Sequence, residues 1–193
     1  MKLGVVVLGA GKSVRFGSNK LLADFEGQPM VCRVMEAAAR LDALRFAAVV
    51  SCDKVAALAG SHGYDVICND APELGQATSI VLGTKGMTDM DAVLFLAGDQ
   101  PLITAESLQL LAREFERSGK GIACLADETH KGNPAVFAAR YFEKLLSLHG
   151  DRGAKGILRA HEDDLLVVRC LHANELCDAD TPQALEAIRP ELG

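Results

Sequence analysis

Short apolar runs recur along the chain at strand length. They are Leu3–Leu8, Phe46–Val50, Val66–Cys68, Ala92–Ala97, Ile122–Ala126, Ala135–Phe137 and Leu165–Val168. Near-continuous apolar runs of this kind predict strands buried on both faces, as in a mostly parallel sheet. Helical patterns lie between them. Pro29 opens one that runs to about Leu41 and puts Val31, Val34, Met35 and Ala38 on one face. Gln76–Leu82 and Thr104–Phe115 read as helices, the second with Thr104 as N-cap. Thr181-Pro182 starts a last helix, with Thr as N-cap and Pro at the first helical position. Strand and helix in alternation predict an α/β, three-layer fold with helices on both faces of the sheet.

The loops carry the chemistry to be tested. Gly9–Lys20, Asp70–Gln76, Gly98–Leu102, Asp127–Pro134 and Gly150–Gly156 stand out. In an open parallel sheet, loops leaving the carboxyl ends of strands gather at one crevice. The first and third follow strands directly. No internal repeat, low-complexity tract or linker rich in Pro, Gly or Ser interrupts the pattern, and residues 1–193 are expected to form one domain.

Composition narrows the classes. Of 193 residues 49% are hydrophobic and 24% charged, which is enough apolar side chain for a sizeable core and excludes a disordered or fibrous chain. The formal net charge is −6, aromatics are 5% and Trp is absent, so the chain lacks both the cationic footprint and the stacking platforms of a nucleic-acid binder. The opening apolar run is cut short by Gly9-Ala10-Gly11, too early for a membrane span or a leader peptide, so no membrane partner is expected. The six cysteines show neither C-x-x-C nor zinc-finger spacing. They read as reduced core thiols of a cytoplasmic protein.

The segment Leu8-Gly9-Ala10-Gly11-Lys12-Ser13-Val14-Arg15-Phe16-Gly17-Ser18-Asn19-Lys20-Leu21-Leu22 follows the first strand. A glycine-rich turn there lets backbone N–H groups approach a phosphate, and Arg15 and Lys20 add cations. A tight turn with solvated charges is the alternative. A P-loop would need Gly where Val6 stands, and a dinucleotide fingerprint would need Gly or Ala where Val14 stands. Both fail, and a phosphate loop of a third kind remains.

Leu96-Ala97-Gly98-Asp99-Gln100-Pro101 is a strand end that finishes in an acid. A carboxylate there suits Mg²⁺, which takes one or two carboxylates together with phosphate oxygens and water. It equally suits a helix or turn cap. Cys177-Asp178-Ala179-Asp180-Thr181-Pro182 places two acids at i and i+2 on an extended segment. They either complete a metal site or enrich a helix N-terminus in negative charge.

Read together, these strings resemble the MobA-like nucleotidyltransferases. The family's L-A-A-G-x-S-x-R-[MF]-G…K-L-L corresponds to Leu8–Leu22, L-x-G-D-Q-P to Leu96–Pro101, and D-I-D-T-P to Asp178–Pro182. G-Q-x-x-S-I corresponds to Gly75–Ile80, G-x-P-x-x-F to Gly132–Phe137, and L-x-G-D-x-G-A-R to Leu148–Lys155. Departures are Gly9 for Ala, Ala179 for Ile and Lys155 for Arg, the last turning a bidentate anion contact into a point contact. Ala10 resembles the cytidine-preferring branch, the molybdenum cofactor cytidylyltransferases.

The resemblance implies a Rossmann-like sheet of the nucleotide-diphospho-sugar transferase type. It implies an enzyme that moves CMP from CTP to the terminal phosphate of molybdopterin and releases pyrophosphate, with Mg²⁺ as cofactor. A molybdoenzyme that receives the product would be a further partner. Leu8, Gly9, Ala10, Gly11, Ser13, Arg15, Lys20, Gln76, Ser79 and Gly98 would hold the nucleotide. Asn133, Pro134, Gly153 and Lys155 would face the acceptor, and Asp99 and Asp180 the metal. Lys20, Arg15 and Asp99 would carry catalysis. His130 and His149 are assigned no role. Transfer to a sugar phosphate or another phosphorylated acceptor, and a non-catalytic nucleotide-binding cofactor chaperone, are the alternatives. A nicotinamide oxidoreductase is disfavoured by Val14.

Overall fold

The computed structural model describes residues 1–11, 16–150 and 153–189. A hydrophobic first segment becomes strand β1 (Leu3–Gly9), and the six further apolar runs all become strands: β4 (Arg45–Val50), β5 (Asp65–Cys68), β6 (Ala92–Ala97), β7 (Ile122–Ala126), β8 (Lys131–Ala138) and β9 (Leu165–Arg169). They form one seven-stranded sheet in the order β5-β4-β1-β6-β8-β7-β9. All run parallel except β8, which pairs antiparallel with both β6 and β7. The mostly parallel, Rossmann-like sheet is therefore present, with one reversed strand set just beyond the centre.

Alternate residues of the strands feed two cores. Leu3, Val5 and Val7 of β1 and Leu94 and Leu96 of β6 pack on one face, under α1 (Met30–Ala38), α2 (Asp53–Ser61) and α4 (Ala105–Ser118). Val6, Val93 and Phe95 pack on the other, under α3 (Gln76–Lys85), α5 (Phe142–Leu146) and α6 (Lys155–Ala160). This is why the central strands read as continuous apolar runs rather than alternating ones. The edges depart from that expectation: Val66 on β5 and Val167 on β9 are exposed, because an edge strand lacks a full covering layer.

A two-stranded hairpin, β2 (Asp24–Phe25) with β3 (Gln28–Pro29), and the helix α7 (Pro182–Ala187) make a small third cluster around Phe25, Met30, Ala179 and Leu185. Both expected N-caps are present. Thr104 accepts from the Ser107 N–H and Thr181 from the Ala184 N–H. The expected core cysteines divide. All six are free thiols; Cys32 and Cys124 are buried, Cys52, Cys170 and Cys177 are half-buried, and Cys68 is exposed on the edge strand β5, where the sheet has no covering neighbour. Among the described residues no helix is long and apolar enough to cross a membrane.

Candidate active site

Three chain segments meet at the carboxyl ends of the adjacent strands β1 and β6. The first is the turn after β1, Leu8 to Gly11, followed after the glycine loop by a 3₁₀ turn over Lys20–Leu22. Asn19 caps that turn by accepting from the Leu21 N–H at 3.1 Å. Leu21 is buried in the core and Leu22 packs against it, so the two leucines hold Lys20 at the rim. The second segment is Gly98-Asp99-Gln100 at the end of β6. The third is the loop that leads into α7.

Lys20 joins the other two. Its Nζ donates to Asp180 Oδ1 at 2.7 Å and makes an ion pair with Asp99. The Lys20 side chain is only 12% exposed and Asp99 18%, against 36% for Asp180, so the pair with Asp99 is the more shielded from solvent. Burial draws the Lys20 pKa down, and the Asp99 and Asp180 carboxylates more than offset it, leaving the ammonium above its usual range. Two carboxylates thus aim at one cationic position. Among the described residues no cluster of three His, Cys, Asp or Glu side chains is gathered for a metal. The donor set is two hard carboxylate oxygens, which fits a Mg²⁺-type ion that fills its remaining positions with phosphate and water.

Backbone contacts fix the two acids relative to each other. The Ala179 N–H donates to the Asp99 carbonyl at 2.9 Å. Gln100, buried beneath, donates through Nε2 to the Leu176 carbonyl at 3.2 Å and to Asp178 Oδ1 at 3.0 Å. Asp178 and Asp180 consequently divide: Asp180 faces Lys20 while Asp178 turns to Gln100. Burial, then the nearby Asp99 charge, pushes the Asp178 carboxyl above the usual carboxylate range.

Asp99 sits on the wall shared by two clefts. The first, about 390 Å³, is lined by Leu8, Gly9, Ala10, Gly11, Lys20, Gln76 and Ser79, together with Pro72 and Glu73. The second, about 560 Å³, is lined by Asn133, Lys155, Gln100, Asp178, His130 and Lys131, among others. Gln76 and Leu8 border both. Ser13 and Arg15 lie outside the described residues. Gly98 is not among the residues lining either cleft: it is buried and its N–H donates to the Leu8 carbonyl at 3.0 Å, tying β6 to β1. Pro134 is buried in β8 between Asn133 and Ala135, the two neighbours that reach the second cleft.

Gly75 enters α3 at φ +97°, a conformation that favours glycine. Ser79 Oγ accepts from Asn69 Nδ2 at 3.0 Å, which leaves the hydroxyl hydrogen to donate elsewhere. At the start of α3 the Ala77 N–H donates to the Gly150 carbonyl at 3.2 Å. Gly153 meets Gln76 so closely that a Cβ on it would stand 2.5 Å from Gln76 Oε1. Gly153→Ala is therefore expected to displace the Gln76 carboxamide, which borders both clefts, and to raise the KM of the substrate held there several-fold, with the thermal midpoint little changed. Saturation curves on the variant check this.

The sequence pattern assigns no role to Glu73, Gln100 or His130. Glu73 lies on a short 3₁₀ turn and gives no periodic signal. Gln100 stands inside the Gly-Asp-Gln-Pro string, where the acid is the more conspicuous chemistry. His130 belongs to a hairpin turn in which Asp127 accepts from the N–H groups of Thr129 (2.7 Å) and His130 (2.6 Å). Burial raises the Asp127 carboxyl, and those N–H bonds overcome it and hold its pKa at about 2. An ionised Asp127 only accepts, so its 3.0 Å contact places the proton on His130 Nδ1.

Residues 5–165 match the MobA-like NTP transferase domain. A probable molybdenum cofactor guanylyltransferase of Pyrococcus horikoshii is 28% identical over 156 residues, covering 81% of this chain and 78% of that protein. Purine catabolism protein PucB of Bacillus subtilis is 29% identical over 200 residues, covering 95% of this chain and 94% of PucB. A solved nucleotidyl transferase from Methanothermobacter thermautotroptrophicus shares the fold with a TM-score of 0.85, over 97% of this chain and 96% of that one, at 22% identity. The match spans most of the seven-stranded sheet, and the chain belongs to the MobA-like NTP transferase domain family.

Proposed function

We propose that the chain transfers CMP from CTP to the terminal phosphate of a molybdopterin-type acceptor, releasing pyrophosphate. The observation that carries the reading is that Asp99, which lines both clefts, is paired with Lys20, whose ammonium also bonds Asp180. One cleft takes the nucleotide and the other the acceptor, so the α-phosphate and the attacking phosphate oxygen meet at Asp99. In-line positioning and charge neutralisation are what this reaction needs from a protein. Ala10 at the turn supports cytosine as the base.

In this reading the turn Leu8–Gly11 offers backbone N–H groups to the triphosphate, with Ser13 and Arg15 completing the loop. Gln76 and Ser79 contact the nucleoside. Lys20 leaves the carboxylates for the phosphates as the nucleotide enters and stabilises pyrophosphate as it departs. Asp99 and Asp180 hold Mg²⁺. When bound, the ion neutralises charge on the reacting phosphate. Asn133, Gly153 and Lys155, with Pro134 behind them, shape the acceptor cleft, Lys155 giving a point contact to an anionic group. A molybdoenzyme would take the product onward.

The name of the Pyrococcus relative favours GTP as a second reading. The test is pyrophosphate release with Mg²⁺, comparing CTP, GTP, ATP and UTP, with and without molybdenum-loaded molybdopterin. Release that requires both CTP and the pterin is the expected result. Release that requires GTP selects the second reading. Nucleotide binding without release under every condition would point to a chaperone and overturn both.

A further inference from the structure

A buried acid outside the Lys20 cluster is not used by the chemistry above. Glu175 is 1% exposed and belongs to the loop that joins β9 to α7. Its Oε1 accepts three hydrogen bonds, each 3.0 Å long. They come from the hydroxyls of Thr104, the N-cap of α4, and of Ser107 in its first turn, and from the His172 N–H within the loop of Glu175 itself. Its Oε2 has no partner. Ser107 Oγ in turn accepts from the Leu171 N–H at 2.9 Å, so the loop is tied to the start of α4 through both Leu171 and Glu175.

A carboxylate buried with one oxygen unpartnered is costly and persists where it holds something in place. Directly after Glu175 the chain runs through Leu176, which is fully buried, to Asp178, Ala179 and Asp180. Their contacts to β6 run through Gln100 and the Asp99 carbonyl. The N-terminal end of α4 favours a negative charge at that spot, and Thr104, its N-cap, lies five residues beyond Asp99. The start of α4, which follows Asp99 closely in the chain, therefore also holds the loop that must meet it.

We infer that Glu175 is a positioning residue, which seats the segment Leu176–Asp180 so that Asp180 faces Asp99. It touches no substrate and acts through the backbone of its own loop. The inference rests on the reading that Asp99 and Asp180 hold a divalent cation.

The test uses the full-length protein and the variants Glu175→Gln, Glu175→Ala and Glu106→Gln. Glu106 is an exposed acid in the first turn of α4 and serves as the control for loss of charge there. The first readout is hydrogen exchange at the Ala179 amide in metal-free protein. The second is Mn²⁺ affinity by electron paramagnetic resonance. Glutamine keeps a carbonyl oxygen at the three donors but removes the charge, and it retains the fold if the alanine variant does not. For Glu175→Gln the expected result is about tenfold faster exchange at Ala179 and about tenfold weaker Mn²⁺ binding, with Glu106→Gln unchanged in both. Wild-type exchange at Ala179 in Glu175→Gln overturns the inference. Faster exchange in a protein whose wild type does not bind Mn²⁺ upholds the positioning role and refutes the cation reading alone.

Discussion

Asp99→Asn is expected to lower nucleotidyl transfer by on the order of 10³-fold, with nucleotide binding weakened but still measurable. The side chain stands where the two clefts join, and it is the more shielded of the two carboxylates paired with Lys20. Asparagine has the same shape but carries no charge. It removes half of the negative charge that faces the Lys20 ammonium and, in the proposed reading, a ligand of the divalent cation. The backbone is spared, because the Asp99 carbonyl keeps its bond from Ala179 whatever the side chain. Steady-state kinetics and a thermal melt on the same preparation separate the two effects. Near-normal turnover in a folded variant would remove Asp99 from the chemistry.

Lys20→Ala is expected to act with opposite signs on the two ligands. Its ammonium pairs with both Asp99 and Asp180, the position that the proposed function gives to a divalent cation. Removing it leaves two carboxylates that repel each other and draw a dication more strongly, so Mn²⁺ binding to the nucleotide-free protein should tighten. The triphosphate meanwhile loses a charged partner, and kcat/KM for the nucleotide should fall by about 10²-fold or more. Leu21 and Leu22 retain the 3₁₀ turn, so the fold should persist. Calorimetric titration with Mn²⁺ and a nucleotide saturation curve give the two signs. Weaker Mn²⁺ binding in the variant would mean that Lys20 supports the cation instead of standing in for it.

The sheet was legible because its central strands are buried on both faces. Val5, Val6 and Val7 leave no polar position between them, and a run of that kind is hard to place anywhere but mid-sheet. What escaped were short elements made by tertiary contact. Asp24–Phe25 is too brief for any period to show, and Phe25 is buried only because Met30, Ala179 and Leu185 close over it. The helix Asp53–Ser61 was missed because only Val55 and Ala59 are buried, which leaves a weak apolar stripe.

In the site, the acids and Lys20 were legible as strings, since each stands beside residues of fixed backbone role. Their meeting was not, because Lys20 and Asp180 are 160 positions apart. Glu175 gave no signal at all: its donors on α4 lie about 70 residues earlier in the chain, and a lone Glu in a polar loop reads as solvated surface.

The central claim is that the α-phosphate of the nucleotide is transferred and pyrophosphate leaves. The most direct measurement is positional labelling. CTP carrying a radiolabel at the α-phosphate, and in a second sample at the γ-phosphate, is incubated with enzyme, Mg²⁺ and molybdenum-loaded molybdopterin. The account predicts that the α-label appears in the acceptor product and the γ-label in pyrophosphate, in equal amounts. γ-Label in the acceptor or in inorganic phosphate, with the α-label left on the nucleotide, would contradict it.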